Sequence, residues 1–243
     1  IARRRSSVAR ALHIQNESTD PAGLFVDALE QHGFTVDTLH PYAGDELPAS
    51  LDGFDAVVAG GGLVDTHQAG EHPWLAQEIE LVREALERRT PYMGLCLGAQ
   101  VLTEAAGGTV YRCEPHEIGW HEVELTPAAT GDALFDDLPR RFQAMQWHYY
   151  ACRPSNGAVE LMTNRVSLQA LRVGDAAWGT QFHIEVTRPV LLTWLEMGGD
   201  DLATNGYPRD RFLESLDVHL ETHQRVGRTL AERFARFATR PAG

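Results

Sequence analysis

The stretch PYMGLCLGAQ, residues 91–100, carries the pattern on which the fold prediction rests. Its apolar start predicts a buried strand, and the residues after Cys96 predict a helix. Gly94 and Gly98 flank Cys96 where bulkier side chains would crowd a sharp strand-to-helix turn, the cysteine counterpart of a Gly-x-Ser-x-Gly nucleophile elbow. Such a turn places the thiol beside free N–H groups at a helix N-terminus, which lower a thiol pKa. We therefore predict a nucleophilic cysteine; the alternative is a buried structural cysteine.

Strand and helix patterns alternate on the N-terminal side of this stretch. The strand patterns cover residues 8–14, 34–39 and 55–59, and a helical pattern covers residues 73–88. Asp20-Pro21 is typical of a helix N-cap followed by a first-turn proline, so we expect a further helix to start there. Strands that alternate with helices imply a parallel sheet covered on both faces.

Short strand patterns dominate after Gly108, and helical patterns close the chain. The predicted strands are residues 109–112, 121–125, 142–146, 158–163, 166–172 and 177–182. The predicted helices are residues 189–197 and 209–238, with a break over 198–208. His219 and His223 are expected on a solvated helix face. The fold class is therefore α/β, with three layers, a mostly parallel central sheet, an antiparallel extension and C-terminal helices.

Composition excludes several classes of function. The 243 residues include no lysine, which excludes a Schiff-base lysine and a P-loop lysine. The net charge of −13 argues against nucleic acid or a membrane surface as the main partner, and no apolar run is long enough to span a bilayer. The three cysteines have no CxxC spacing, which predicts a reducing, cytoplasmic compartment. We expect the arginine run at residues 3–5 to be a disordered terminus.

A second motif, WGTQFHIEVT at residues 178–187, supplies a candidate base. Residues two apart in a strand point to the same face, so His183 and Glu185 can lie side by side. A carboxylate beside an imidazole orients it, and an imidazole that reaches a thiol activates that thiol. Cys113 and Cys152 are expected to be inert packing thiols.

Together the two motifs resemble the class I glutamine amidotransferases. AGGG at residues 59–62 lies where that family has a glycine-rich oxyanion loop. EIGWHEVELT at 117–126 and FQAMQWH at 142–148 are similar to the amidotransferase half of GMP synthases and its stand-alone relatives. The resemblance implies a flavodoxin-like amidotransferase domain over residues 1–196. We expect residues 197–243 to form a helical extension packed on the same domain.

The resemblance also implies a role for each matching residue. Cys96 would attack the side-chain amide of L-glutamine, His183 would transfer the protons, and Glu185 would orient His183. The N–H groups of Gly61 and Leu97 would bind the oxyanion. The implied substrate-binding residues are Gln100, which would hold the amino-acid end, and Gly62, Trp147 and His148. A γ-glutamyl thioester would form and be hydrolysed, with no cofactor and no metal.

Two positions depart from the family pattern. Ile184 stands between the catalytic His and Glu where the family usually has proline, and Tyr149-Tyr150 replace the usual Gly-Asp after the histidine at 148. The tyrosines are expected near the mouth of the active site, where they would affect selectivity or coupling to a partner.

The expected function is hydrolysis of glutamine to glutamate and ammonia. Residues 198–243 are too few for an ATP-dependent amination domain, so we expect a separate synthase or acceptor subunit, or a free-standing hydrolase. One alternative is a γ-glutamyl hydrolase that acts on a γ-glutamyl amine or peptide. The other is a regulatory or binding subunit that has lost catalysis.

Overall fold

A computed structural model describes residues 8–240, so the arginine run at residues 3–5 lies outside the described part of the chain. The strands are β1 (Arg10–Ile14), β2 (Thr35–Leu39), β3 (Ala56–Ala59), β4 (Tyr92–Leu95), β5 (Thr109–Leu125), β6 (Arg141–Arg153), β7 (Val159–Thr163), β8 (Leu168–Val173) and β9 (Ala177–Thr180). The α-helices are α1 (Gly23–Gln31), α2 (Pro73–Arg88), α3 (Leu97–Ala105), α4 (Arg188–Thr204) and α5 (Arg209–Ala238).

All nine strands join one sheet in the order β2-β1-β3-β4-β9-β8-β7-β5-β6. The first five of these pair in parallel, and the remaining pairings are antiparallel. The predicted class, a mostly parallel sheet with an antiparallel extension, is confirmed. The carboxyl ends of β1, β3, β4 and β9 meet at one edge, which is where open α/β sheets place their sites.

Alternate side chains of the parallel strands enter two separate cores, as expected for strands covered on both faces. On β3, Val58 packs with Phe25 of α1 and Phe234 of α5 on one side of the sheet. Val57 of the same strand packs on the other side with residues of α2 and α3, among them Leu75. The two layers hold the edge where β3 and β4 end in a fixed position.

The C-terminal helices differ from the sequence prediction in one respect. The expected break over 198–208 is shorter, because α4 continues to Thr204 with a kink at Gly198. The expected boundary between residues 196 and 197 thus lies inside α4, just before the kink. Trp194 of α4 and Phe212 of α5 pack on Trp120 of β5, so both helices cover the antiparallel strands.

Three strands also differ from their predicted lengths. β5 is continuous from Thr109 to Leu125, with a bulge between Arg112 and Glu117 that keeps it paired with β6. β6 continues to Arg153 because it pairs with β5 over most of its length. β9 ends at Thr180, so QFHIEV at residues 181–186 lies in a turn rather than in a strand. Within residues 8–240 no helix is both long and apolar enough to cross a bilayer.

Candidate active site

Cys96 lies at the predicted elbow, between the end of β4 and the start of α3. Its φ of 49° and ψ of −100° place it in the left-handed half of backbone space, where side chains other than glycine are strained. Its N–H donates to the Thr180 carbonyl at 2.8 Å, which ties the elbow to the end of β9. The thiol is 5% exposed and borders a cavity. The fold therefore holds a buried, strained cysteine at a helix N-terminus, beside a cavity.

The two glycines that flank Cys96 are required by close packing. A β-carbon on Gly94 would lie 2.4 Å from the Gly98 carbonyl group, and one on Gly98 would lie 2.4 Å from the Ala59 oxygen. Both distances are to backbone atoms, which cannot turn away. The Tyr92 hydroxyl donates to the Gly98 oxygen at 2.8 Å and fixes the same turn. The spacing read from the sequence thus corresponds to a real steric constraint.

His183 is fixed from both sides by its own backbone. Its N–H donates to the Met145 oxygen on β6 at 2.9 Å, and its carbonyl accepts from His223 on α5 at 2.8 Å. The ring meets the Trp194 ring edge to face, with centroids 4.7 Å apart. These contacts, rather than strand alternation, bring the imidazole to the cavity beside Cys96.

Two carboxyl groups face the same ring nitrogen of His183. Nδ1 is 2.8 Å from Glu185 Oε1 and 3.4 Å from Asp20 Oδ2. Burial alone would lower the pKa of His183, but the negative charges of Cys96, Asp20 and Glu185 outweigh it and hold that pKa well above its ordinary value. Burial, followed by the charge of Asp20, raises the pKa of Glu185 to about 7.

His223 contradicts the expectation of a solvated helix face. It is fully buried in α5, and burial lowers its pKa to about 4, so it is neutral at pH 7. Its Nε2 faces the His183 oxygen and therefore carries the donated proton. Gly227, one turn further along α5, allows the helix to approach closely, because a β-carbon there would lie 2.4 Å from the Ile184 oxygen.

A cavity of about 590 Å³ opens above Cys96 and His183. Of the residues predicted to bind substrate or oxyanion, it is lined by Gly62, Leu97, Gln100, Trp147 and His148. Gly61 is not part of this lining; it lies behind it, packed against Asp20 and His183. The cavity is the site at which the two sequence motifs meet.

His148 is held by a buried carboxylate that the sequence analysis did not single out. Its Nδ1 is 2.8 Å from the Tyr150 oxygen, and its Nε2 is 3.4 Å from Glu117 Oε2. Burial raises the pKa of Glu117, but hydrogen bonds and charge from His148 and a hydrogen bond from Asn164 lower it overall. The Glu117 side chain, which is inaccessible to solvent, thus remains charged and orients the histidine at the cavity wall.

The two tyrosines that depart from the family pattern both line the cavity. The Tyr149 hydroxyl donates to Asp201 on α4 at 3.1 Å, which links β6 to α4 at the cavity. The Tyr150 ring packs edge to face with His67, with centroids 5.4 Å apart. They narrow the approach to Cys96 with aromatic surface.

One cluster in the described residues has the chemistry of a metal site. Ligand atoms of Asp20, His183 and Glu185 all lie within 4.8 Å of one another. The same Nδ1 that a metal would need is already within hydrogen-bond distance of Glu185. The cluster is therefore two carboxyl groups around one imidazole.

Asp20, Glu117 and His223 are the site residues that sequence reasoning missed. Asp20 was expected to cap α1, but the N-cap of that helix is Ala22 and it has no side-chain cap. Glu117 begins the quoted segment EIGWHEVELT, and its position next to apolar residues was a signal for a buried carboxyl group. His223 recurs at helical spacing with the apolar positions Leu216 and Leu220 of α5, which indicated a buried position.

Comparison with known proteins gives a consistent family. A sequence profile described as "Glutamine amidotransferase class-I" matches residues 23–190. The putative glutamine amidotransferase-like protein YfeJ of Salmonella typhimurium is 29% identical over 73% of this chain and 76% of its own length. A GMP synthase (glutamine-hydrolyzing) of Porphyromonas gingivalis is 30% identical over 61% of this chain, but the match spans only 28% of that larger protein.

Two further similarities are to a hydrolase and to a solved structure. A γ-glutamyl-L-1-hydroxyisopropylamide hydrolase of a Pseudomonas species is 27% identical over 69% of this chain and 60% of its own length. Among solved structures, a glutamine amidotransferase from Methylobacillus flagellatus superposes with a TM-score of 0.86 at 25% identity, covering 98% of each chain.

Proposed function

The chain belongs to the class I glutamine amidotransferases, and from that premise we propose that it hydrolyses the side-chain amide of L-glutamine to glutamate and ammonia. The observation that carries this proposal is the arrangement at the sheet edge. Cys96 stands at a strained elbow, and His183 with its carboxyl partners borders the same cavity. Members of this family are cysteine-dependent amide hydrolases or amidotransferases.

The proposed chemistry follows from which ring nitrogen of His183 is available for proton transfer. Because Nδ1 of His183 faces Glu185, its Nε2 remains to exchange a proton with Cys96. The thiolate would attack the amide carbon, and the backbone N–H groups of Leu97 and Gly61 would bind the oxyanion. Imidazolium gives its proton to the departing ammonia, which leaves a γ-glutamyl thioester. His183 then takes a proton from the water that hydrolyses the thioester.

Charged groups at the cavity suit an amino acid. Arg112 is the arginine in the lining and would pair with the α-carboxylate of the substrate. Asp65 and Asp201 also line the cavity and would face the α-ammonium group. Gln100, buried one helical turn after Cys96, would hold the same end of the substrate through its amide.

The direct test is release of glutamate and ammonia from L-glutamine by the purified protein, both quantified over time. We expect equal amounts of the two products. Labelling by a diazoketone analogue of glutamine, with the modified residue located by mass spectrometry, is expected at Cys96. An unlabelled Cys96 would favour a binding or regulatory subunit without catalysis.

The second candidate is a γ-glutamyl hydrolase that acts on a γ-glutamyl amine or peptide. A cavity of about 590 Å³ lies within the range typical of drug-sized ligands and so leaves room for a substituent on the amide nitrogen. The Pseudomonas relative hydrolyses a substituted γ-glutamylamide, as its name says. Comparing kcat/KM for L-glutamine with that for γ-glutamyl isopropylamide separates the two candidates.

Gly198→Ala is expected to raise KM about tenfold with little change in kcat. A β-carbon at Gly198 would lie 2.4 Å from Trp147 Cζ2, so the indole, which lines the cavity, must shift, whereas Cys96 and His183 are not among the atoms nearest to that β-carbon. The neighbouring Gly199→Ala is the matched control, because its β-carbon would meet nothing within 4 Å. Equal KM values for the two variants would exclude Trp147 from the substrate-binding wall.

A separate synthase or acceptor subunit that takes up the ammonia is part of the same proposal. A GMP synthase and a subunit of imidazole glycerol phosphate synthase are among the relatives.

The three cysteines are buried and free, which supports a reducing, cytoplasmic compartment.

A further inference from the structure

Asp20 is buried beside the imidazole of His183 and does not cap a helix. It lies in the loop between β1 and α1 and is 4% exposed. Its Oδ2 is 3.4 Å from Nδ1 of His183, while its Oδ1 has no hydrogen-bond partner in the described part of the chain. A buried carboxylate is costly unless a charge compensates it, and the facing imidazole is the group in position to do so.

The loop after β3 is shaped to accommodate this carboxylate. A β-carbon on Gly61 would lie 2.0 Å from Asp20 Oδ2 and 2.8 Å from His183 Cε1. Any other residue at position 61 would separate Asp20 from the imidazole or displace both. The contact between Asp20 and His183 therefore depends on glycine at position 61, because their side chains occupy the space that a β-carbon there would take.

The two carboxyl groups at Nδ1 differ in their environment. Burial raises the pKa of Asp20, but the charge and hydrogen bond of His183 outweigh this and lower it overall. Burial and the charge of Asp20 raise the pKa of Glu185 to about 7. Two carboxyl groups this close share protons as a pair, so one negative charge facing the imidazole persists when Glu185 is protonated.

We propose that Asp20 is a second carboxylate partner of His183, a positioning residue that shares with Glu185 the orientation and charge stabilisation of the imidazolium opposite Cys96. Either carboxylate alone sustains part of this stabilisation, and loss of both removes it. The inference rests on the proposed function insofar as His183 acts on Cys96. It extends the Cys-His-Glu triad of that proposal by a residue from a different loop.

The other titratable groups around His183 do not take this role. Cys96 faces it from the elbow, and His223 of α5 bonds to its backbone oxygen and is neutral. His13 of β1 interacts with Asp20, and burial together with His40 lowers its pKa to about 4, so it too is uncharged at pH 7. Among residues 8–240, the carboxyl groups at Nδ1 are those of Asp20 and Glu185.

Alkylation of Cys96 by iodoacetamide, followed from pH 5 to 10 and resolved by residue with mass spectrometry, tests the proposal without a substrate. A thiolate paired with an imidazolium gives a profile with two steps, and the upper step marks loss of the imidazolium proton. Removing a negative charge from Nδ1 lowers the pKa of His183. Asp20→Asn is therefore expected to move the upper step down by about one pH unit or more.

Glu185→Gln and the double variant complete the design. Glu185→Gln is expected to move the upper step in the same direction, and the double variant is expected to move it further than either, because the charge of Cys96 alone then opposes the burial of His183. Glu17→Gln is the matched control, because Glu17 lies in the same loop and lines the same cavity without contacting His183. Its profile is expected to match that of the wild type.

Two results would overturn the proposal. The first is an Asp20→Asn profile that superposes on the wild-type profile while the Glu185→Gln profile shifts. The second is an equal shift in Glu17→Gln, which would indicate that any negative charge lining the cavity has the same effect on His183. Asp20→Ala, which only removes atoms, replaces Asp20→Asn if circular dichroism finds the amide variant misfolded. Shifted profiles without glutamine hydrolysis would uphold this inference and reject the proposed substrate, whereas hydrolysis with unshifted profiles would do the reverse.

Discussion

Cys96→Ala is expected to lower glutamine hydrolysis by about 10⁴-fold or more, because the thioester cannot form without the thiol. Alanine keeps the β-carbon, so the strain of the positive φ at this position and the packing of the elbow are retained. The other two thiols cannot substitute. Burial, followed by the charge of Glu117, raises the pKa of Cys113 to about 11, and burial raises that of Cys152 to about 12. Both would remain protonated at neutral pH.

The measurement is the initial rate of glutamate release by wild type and variant at equal concentration, with melting temperatures compared. Cys113→Ala is the matched control, since it removes a buried thiol outside the cavity lining and is expected to keep the rate within a few-fold. A Cys96→Ala protein with more than about one hundredth of the wild-type rate would place the nucleophile on another residue.

Gly61→Ala is expected to lower kcat/KM by about 10²-fold or more, since a displacement of about 1 Å at reacting groups has an effect of this size. The new methyl carbon would lie 2.0 Å from Asp20 Oδ2 and 2.8 Å from His183 Cε1, both far inside van der Waals contact. The Asp20 carboxyl group and the imidazole must move apart or leave their positions, or the loop itself must move. Movement of the loop would also shift the N–H of Gly61 from its proposed place near the oxyanion.

Gly60→Ala provides the comparison one residue earlier in the same loop. Its β-carbon would meet Asp20 and Ile14 oxygens at 3.5 Å, which is ordinary contact, so its rate is expected to stay within a few-fold of the wild type. Glutamine kinetics and thermal unfolding of both variants are needed, because a loss of stability alone would lower the melting temperature without a matching loss of kcat/KM. Wild-type kinetics for Gly61→Ala would contradict the tight packing around Asp20.

Local patterns were enough to predict the elbow and the order of the elements around it. The Gly94–Cys96–Gly98 spacing has one steric solution at a strand-to-helix turn, and alternating apolar patterns distinguish strands from helices along the parallel half. The resemblance located Cys96, His183 and Glu185 as one set. The structure brings the latter two together with a hydrogen bond of 2.8 Å, although the segment is a turn and the strand argument for their proximity was wrong.

The residues that only the tertiary structure identified are distant in sequence from the groups they contact. Asp20 and His183 are brought together by the parallel pairing of β1, β3, β4 and β9, and His223 reaches the His183 oxygen because α5 packs across the sheet. An aspartate before a proline has a good local use as a helix cap, so nothing within its own segment distinguished that role from a contact with an imidazole 163 positions away.

The sequence by itself predicted the elbow and the mostly parallel sheet, which are confirmed, and Cys96 as the candidate nucleophile, because these follow from steric and apolar patterns within short segments. Only the tertiary structure decided which charges face His183. It also decided how β6 and α4 meet at the cavity, through the hydrogen bond from Tyr149 to Asp201. The physical reason is that the charge state of a buried group depends on neighbours within a few ångströms in space, and those neighbours are set by sheet order and helix packing rather than by adjacent residues.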